Sequence, residues 1–112
     1  MEITEITDEY MLEMRKNFKP YTLMILHKTS KFSEPGTDKI VWEHGRRNYL
    51  FRKKGKFRII CPIRDDKDIA GIMVLSTDLE ESKKILDEDP GVKAGIFRYE
   101  LYATFSFPGD NL

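Results

Sequence analysis

The chain has 112 residues and carries 19 acidic and 19 basic side chains, so its formal net charge is zero. This length suits one domain with a modest core. The charge balance argues against nucleic acid or a membrane surface as the main partner, because both favour a basic surplus. No apolar run approaches membrane-spanning length, and the acidic start Met1-Glu2-Ile3 does not resemble a signal peptide. The lone Cys61 has no internal disulfide partner, so we expect a reducing, cytoplasmic location.

A short helix is predicted at the start of the chain. Thr7 is a suitable cap, an apolar stripe follows at helical spacing, and the helix is expected to run to about Asn17 and to be closed by Pro20. We expect residues 1–19 to form a helical extension, docked on the domain or on a neighbouring subunit, and residues 20–112 to form the domain itself.

Strand and helix patterns alternate through the rest of the chain. Ile40, Val41, His44, Asn48 and Phe51 lie at helical spacing, whereas residues 97–105 alternate strictly between two faces. The predicted elements are a strand at 21–27, a helix at 38–54, strands at 57–61 and 69–76, a helix from 79 to about 88 that buries Leu79, Ile85 and Leu86, and a strand at 97–105. This βαββαβ order predicts an α+β, ferredoxin-like fold.

The two central strands are apolar on both faces. In residues 21–27, Leu23 and Ile25 share one face while Met24 and Leu26 share the other. Two helices cover only one face of a four-stranded sheet, so something else must cover the second face. We therefore predict a homodimer whose sheets pack face to face.

A carboxylate and an imidazole are the best candidates for chemistry. Asp89 precedes Pro90, whose ring disfavours helical geometry at the residue before it, so the carboxylate is expected at a forced helix stop. His44 is the one histidine of its helix, and a His–Asp pair is suited to acid–base catalysis if the fold joins the two. Structural roles are the alternatives: a hydrogen-bonded histidine on a helix face, and an aspartate bonded to the following turn.

Other residues carry weaker signals. Arg47 lies one turn from His44 and is a candidate for substrate binding, although a basic helix end is usually a solvated face. Cys61, at a strand end, is either a small core residue or part of the pocket. The set His27, His44, Cys61 and Asp89 lacks familiar ligand spacings, so we predict no metal, and no nucleotide or cofactor motif is present.

Several of these residues resemble the YciI-like (YCII-related) family over roughly residues 21–105. They are His44 on the helix, Gly55 eleven positions later, Cys61-Pro62 where Gly-Pro is usual, and the segment Asp89-Pro90-x-Val-x-Ala-Gly-Ile-Phe. The resemblance implies a ferredoxin-like dimeric α/β barrel with His44 and Asp89 as its active-site pair. It also implies a pocket between the first helix of the domain and the sheet, and a dehydrochlorinase of aromatic degradation as precedent. Cys61 and Gly45 depart from the family pattern, and both changes bear on the shape of the pocket.

Three functional hypotheses follow. The first is a small cofactor-independent enzyme that uses His44 and Asp89 for proton transfer, either isomerisation or elimination, on a small organic molecule. The second is a dimer that binds or senses a small molecule without turnover. The third is an interaction dimer in which the N-terminal helix reaches a partner.

Overall fold

The computed structural model describes residues 4–112 of the chain. The elements are α1 (Asp8–Arg15), β1 (Lys19–Lys28), a short 3-10 helix (Ser30–Ser33), α2 (Thr37–Lys53), β2 (Phe57–Pro62), β3 (Ile69–Leu75), α3 (Leu79–Asp87), α4 (Pro90–Lys93) and β4 (Phe97–Ser106). The strands form one sheet in the order β2-β3-β1-β4, and every neighbouring pair is antiparallel. The predicted α+β class and the four-stranded sheet are confirmed.

One face of the sheet packs against the helices and forms the core. Met24 and Leu26 of β1, together with Met73 and Leu75 of β3, are buried on this face. Ile85 of α3 is buried with them, and residues of α2 pack at the margin of the same cluster. Because successive side chains of a strand point to opposite faces, this set fixes which residues face the helices.

The other face of the sheet carries no helix from residues 4–112 and is largely apolar. Leu23 and Ile25 of β1 lie on it, and Val74 and Ile72 of β3 are their cross-strand partners. Each of these four side chains is only partly exposed. We call this surface the open face. It is the face for which the sequence predicted a covering partner.

Two local expectations were wrong. Pro20 does not close the N-terminal helix, because α1 ends at Arg15 and Pro20 is the second residue of β1. Proline is tolerated near the start of a strand, and pairing with β3 begins only at Thr22. Leu79 was expected to be buried, but it is the first residue of α3 and is 44% exposed.

The helix at the start of the chain forms as expected but packs little. Thr7 caps it by accepting a hydrogen bond from the backbone N–H of Tyr10 at 3.0 Å. None of its residues is buried. The first three residues of the predicted extension lie outside the described part of the chain. Within residues 4–112, no helix has both the length and the apolar character needed to cross a membrane.

The open face carries one polar cluster, centred on Glu100 of β4. The Tyr102 hydroxyl donates to Oε2 of Glu100 at 2.6 Å, and Nε2 of His27 contacts Oε1. These hydrogen bonds, the Tyr102 bond first, lower the pKa of Glu100 below its ordinary value of 4.5. A lowered folded-state pKa stabilises the fold above the unfolded-state pKa, and this contribution is lost as pH falls through the folded value.

We predict that Tyr102→Phe raises the pKa of Glu100 towards its ordinary value, because the carboxylate loses its largest stabilising hydrogen bond. The variant should therefore lose less stability than the wild type when the solution is acidified below about pH 4. Side-chain carboxyl NMR titration measures the pKa, and urea unfolding at several pH values measures the stability. An unchanged Glu100 titration in the variant would contradict the prediction.

Candidate functional site

Asp89 starts a short helix as well as following one. The sequence predicted a helix stop at this position, and α3 does end nearby, at Asp87. Asp89 then serves as the N-cap of α4, with Pro90 at the first helical position. Aspartate is a favoured N-cap, and proline is favoured at the first position because its missing N–H has no helical partner there. The four-residue α4 was missed because Asp-Pro was interpreted only as a stop.

Both carboxylate oxygens of Asp89 accept hydrogen bonds. Oδ2 accepts from the backbone N–H groups of Gly91 at 2.9 Å and Val92 at 3.2 Å. Oδ1 accepts from Nδ1 of His44 at 2.8 Å. The side chain of Asp89 is only 2% exposed, so these bonds replace the water that the buried oxygens have lost. The Asp89 carboxylate therefore bonds to the turn that follows it, as the structural alternative predicted, and also to His44, as the functional alternative predicted.

His44 is presented by α2, near the middle of that helix. Its ring lies 4.8 Å from the ring of Phe97, measured between centroids, and its side chain is 13% exposed. Nδ2 of Asn48, one turn further along α2, donates to Nε2 of His44 at 3.3 Å. With Nδ1–H donated to Asp89, Nε2 holds the lone pair, which is the tautomer that a general base needs. Asp89 is placed to stabilise the imidazolium that proton uptake would create.

Gly91 makes the close packing around this pair possible. A Cβ at residue 91 would lie 2.4 Å from Cδ2 of Phe97 and 3.1 Å from Oδ2 of Asp89. The first distance is well inside van der Waals contact. Glycine is therefore required here because the Phe97 ring and the Asp89 carboxylate both approach its Cα.

A cavity of about 1000 Å³ adjoins the pair. The side nearest the helices is bordered by His44 and Asn48 of α2 and by the apolar side chains of Met24, Leu26 and Phe97. Gly45 of α2 and Gly71 of β3 also line it. The site thus combines a basic nitrogen, a fixed carboxylate and an apolar wall, as proton transfer on a small organic molecule requires.

Cys61 lies on β2, and its side chain faces away from His44. A register shift between Phe57 and Ile59 makes Ile60 the partner of buried Met73 and Cys61 the partner of Ile72, which faces the open side. Cys61 also borders the cavity, whose lining includes residues from both faces of the sheet. A side chain in place of the family's usual glycine therefore does not fill the part of the cavity next to the imidazole. A role for Cys61 in substrate binding stays a prediction.

Arg47 and His27 lie apart from the pair. The guanidinium of Arg47 lies over the ring of Phe51, 4.7 Å from its centroid, and Arg47 does not border the cavity. Its proposed contact with substrate stays a prediction. His27 contacts Glu100 on the open face. Within residues 4–112, no group of three or more His, Cys, Asp or Glu side chains is arranged to hold a metal ion.

Asn48 and Gly91 were not identified as site residues from the sequence. Asn48 follows His44 by four positions, and this spacing on a helix places two side chains on the same face. That spacing was the available signal for Asn48. Gly91 had no comparable signal, because its role depends on the approach of Phe97 from another strand.

We predict opposite effects for two glycine substitutions. Gly91→Ala should destabilise the protein by about 1–3 kcal/mol, because the new methyl group overlaps Phe97 and crowds Asp89. Gly45→Ala is the control, because it lies within α2 with nothing within 4 Å of the added carbon. It should stabilise the protein by about 0.5–1 kcal/mol through helix propensity. Urea unfolding of both variants measures the changes, and equal stability of the two would contradict the packing described.

No family model matches this chain, and no curated protein matches it. A solved structure does: 5-chloro-2-hydroxyhydroquinone dehydrochlorinase (TftG) from Burkholderia phenoliruptrix AC1100, in complex with 2,5-dihydroxybenzoquinone. The match covers 73% of this chain and 90% of that chain, with 22% sequence identity and a TM-score of 0.50. This likeness shows that the two proteins are similar in fold.

Proposed function

We propose that this protein is a small YciI-like enzyme that catalyses proton transfer on a small organic molecule without a cofactor. The observation that carries the proposal is the 2.8 Å hydrogen bond between Nδ1 of His44 and Oδ1 of Asp89, beside a cavity. The structural neighbour is named as a dehydrochlorinase, and this supports a reaction that begins with loss of a proton.

The proposed chemistry begins at Nε2 of His44. This nitrogen takes a proton from a carbon acid in the cavity, and Asp89 stabilises the resulting imidazolium. In an isomerisation, the proton returns from Nε2 to a different carbon and the double bond moves. In an elimination, the electron pair of the broken C–H bond forms a double bond as the leaving group departs with its own bonding pair. The imidazolium then loses its proton to solvent.

Asn48 is proposed to orient the imidazole. Its amide donates to Nε2 in the neutral state, and rotation of the amide would present its oxygen to Nε2–H after proton uptake. One side chain can thus contact both protonation states of His44. The alternative function is binding of a small molecule without turnover. It uses the same cavity but does not require His44 to change its protonation state.

We predict that His44→Gln lowers proton-transfer activity by at least about 100-fold, the usual range for loss of a general acid–base group. The assays are chloride release from 5-chloro-2-hydroxyhydroquinone and deuterium exchange at the α-carbon of small enolisable ketones. His27→Gln is the matched control, because this second histidine lies on the open face. Its activity should equal that of the wild type.

Two results would contradict the enzyme proposal. One is equal activity of His44→Gln and wild type. The other is binding of these compounds next to Asn48, seen by NMR, with no turnover of any of them. The second result would favour a protein that binds small molecules without converting them.

We also infer that the protein is a homodimer joined through the open face, with residues 1–19 as an extension of the domain. Leu23, Ile25, Ile72 and Val74 form an apolar surface on the central strands, and no helix of the described chain covers it. Burial of such a surface against its own copy is favourable and satisfies two-fold symmetry.

We predict that Ile72→Glu gives a monomer, because it places a charge in the middle of the proposed interface, next to Ile25. Leu50→Glu is the control, since Leu50 is similarly apolar and 48% exposed but lies on α2, away from the open face. Sedimentation velocity at micromolar concentration measures both. A wild-type monomer, or an Ile72→Glu dimer, would contradict the inferred interface.

A further inference from the structure

Two arginines that line the cavity have no carboxylate partner within residues 4–112. Arg52 lies in the last turn of α2 and Arg58 lies in β2, and both line the cavity. They lie close to the same turn: a Cβ on Gly55 would be 3.5 Å from Nη1 of Arg58, and the N–H of Gly55 donates to the carbonyl of Arg52 at 3.0 Å. We call Arg52 and Arg58 the arginine pair.

The ion pairs of the described residues leave the arginine pair free, as they leave most of the other lysines and arginines. These ion pairs use Lys16, Arg46, Lys56, Lys83, Lys84 and Lys93. His27 and His44 also contact carboxylates. Neither Arg52 nor Arg58 makes a salt bridge or a side-chain hydrogen bond within residues 4–112. A guanidinium group without an internal partner is available for charge-assisted hydrogen bonds to a carboxylate or another anion.

Basic side chains outnumber acidic ones among the described residues that line the cavity. Lys28 lines it as a third cation, and its Nζ lies 5.1 Å from the ring centroid of Phe32. Asp110, after β4, is the one acidic side chain among the described lining residues. A cationic cleft with apolar walls concentrates anionic ligands.

His44, Asn48 and Arg52 are spaced four residues apart, so they follow one face of α2. Eight residues of helix span about 12 Å, and the long side chain of Arg52 covers part of that distance. The interval left between a guanidinium and the imidazole suits one ring or a short conjugated chain. Phe97 and Phe32, whose ring centroids are 5.6 Å apart, provide an aromatic wall beside the imidazole.

We propose that the cavity binds a small conjugated organic anion. Its carboxylate or ionised enol faces the arginine pair, and its reacting carbon lies next to Nε2 of His44. This inference rests on the proposed function and names the substrate class for it. It also gives the arginine pair a role in orienting the substrate along α2.

The test compares two probes of equal shape and different charge: trans-cinnamate and neutral trans-cinnamamide. Isothermal titration calorimetry at low salt measures both affinities, and the side-chain amide NMR signal of Asn48 reports whether the probe enters this cavity. We expect cinnamate to bind at least about tenfold more tightly than the amide, because its carboxylate makes charge-assisted hydrogen bonds. Addition of salt should reduce the preference.

The double variant Arg52→Gln/Arg58→Gln should lose the preference for cinnamate while folding normally, because both side chains are exposed. Arg46→Gln is the matched control. Arg46 lies on the same helix and is paired with Glu43, and it does not border this cavity. Thermal unfolding of each variant checks that a loss of binding does not result from a loss of folding.

Three results would overturn the inference: equal affinity for the two probes, a preference that persists in the double variant, or no binding of cinnamate at millimolar concentration. Its failure is distinguishable from failure of the proposed function. His44→Gln should keep the preference for the anion even if no turnover is ever found. Turnover of a neutral ketone that depends on His44, without any preference for the anion, would overturn this inference alone.

Discussion

The buried carboxylate of Asp89 is the constraint on which the candidate site depends. A carboxylate withdrawn from water is stable only if its oxygens accept hydrogen bonds from the protein. Oδ2 is satisfied by the first N–H groups of α4 and Oδ1 by His44. Because one side chain bonds to two helices, the position of α4 and the orientation of the imidazole on α2 are set together. Removal of either partner would leave a buried acceptor unsatisfied.

The packing around the carboxylate extends this constraint to the sheet. Phe97, the first residue of β4, lies against both the His44 ring and the Cα of Gly91. The imidazole is therefore fixed by a hydrogen bond on one edge and by an aromatic ring on one face. A catalytic base needs this kind of preorganisation, since small errors in position reduce the rate of proton transfer strongly. On the same helix, Asn48 and Arg52 follow His44 at intervals of four residues. The three side chains therefore lie in a row along one face of α2.

The two faces of the sheet have different chemistry. The side that faces the helices holds His44 and Asp89, and the cavity borders His44 there. The open face is apolar along β1 and β3 and carries the Glu100 cluster near one edge. The similarity to a solved dehydrochlorinase structure agrees with this architecture at the level of fold. The functional proposal rests on the residues of this chain, because one fold supports many different reactions.

The sequence by itself determined the elements, because hydrophobic period and capping residues act locally. It determined the sheet-forming strands and the two main helices to within about two residues, and it directed attention to His44 and Asp89. Only the tertiary structure decided which side chains meet. The register shift in β2 places Cys61 on the side opposite Phe57, although simple alternation would put both on one face. The contact between Gly91 and Phe97 likewise joins a helix to a strand, and no local pattern encodes such a distance.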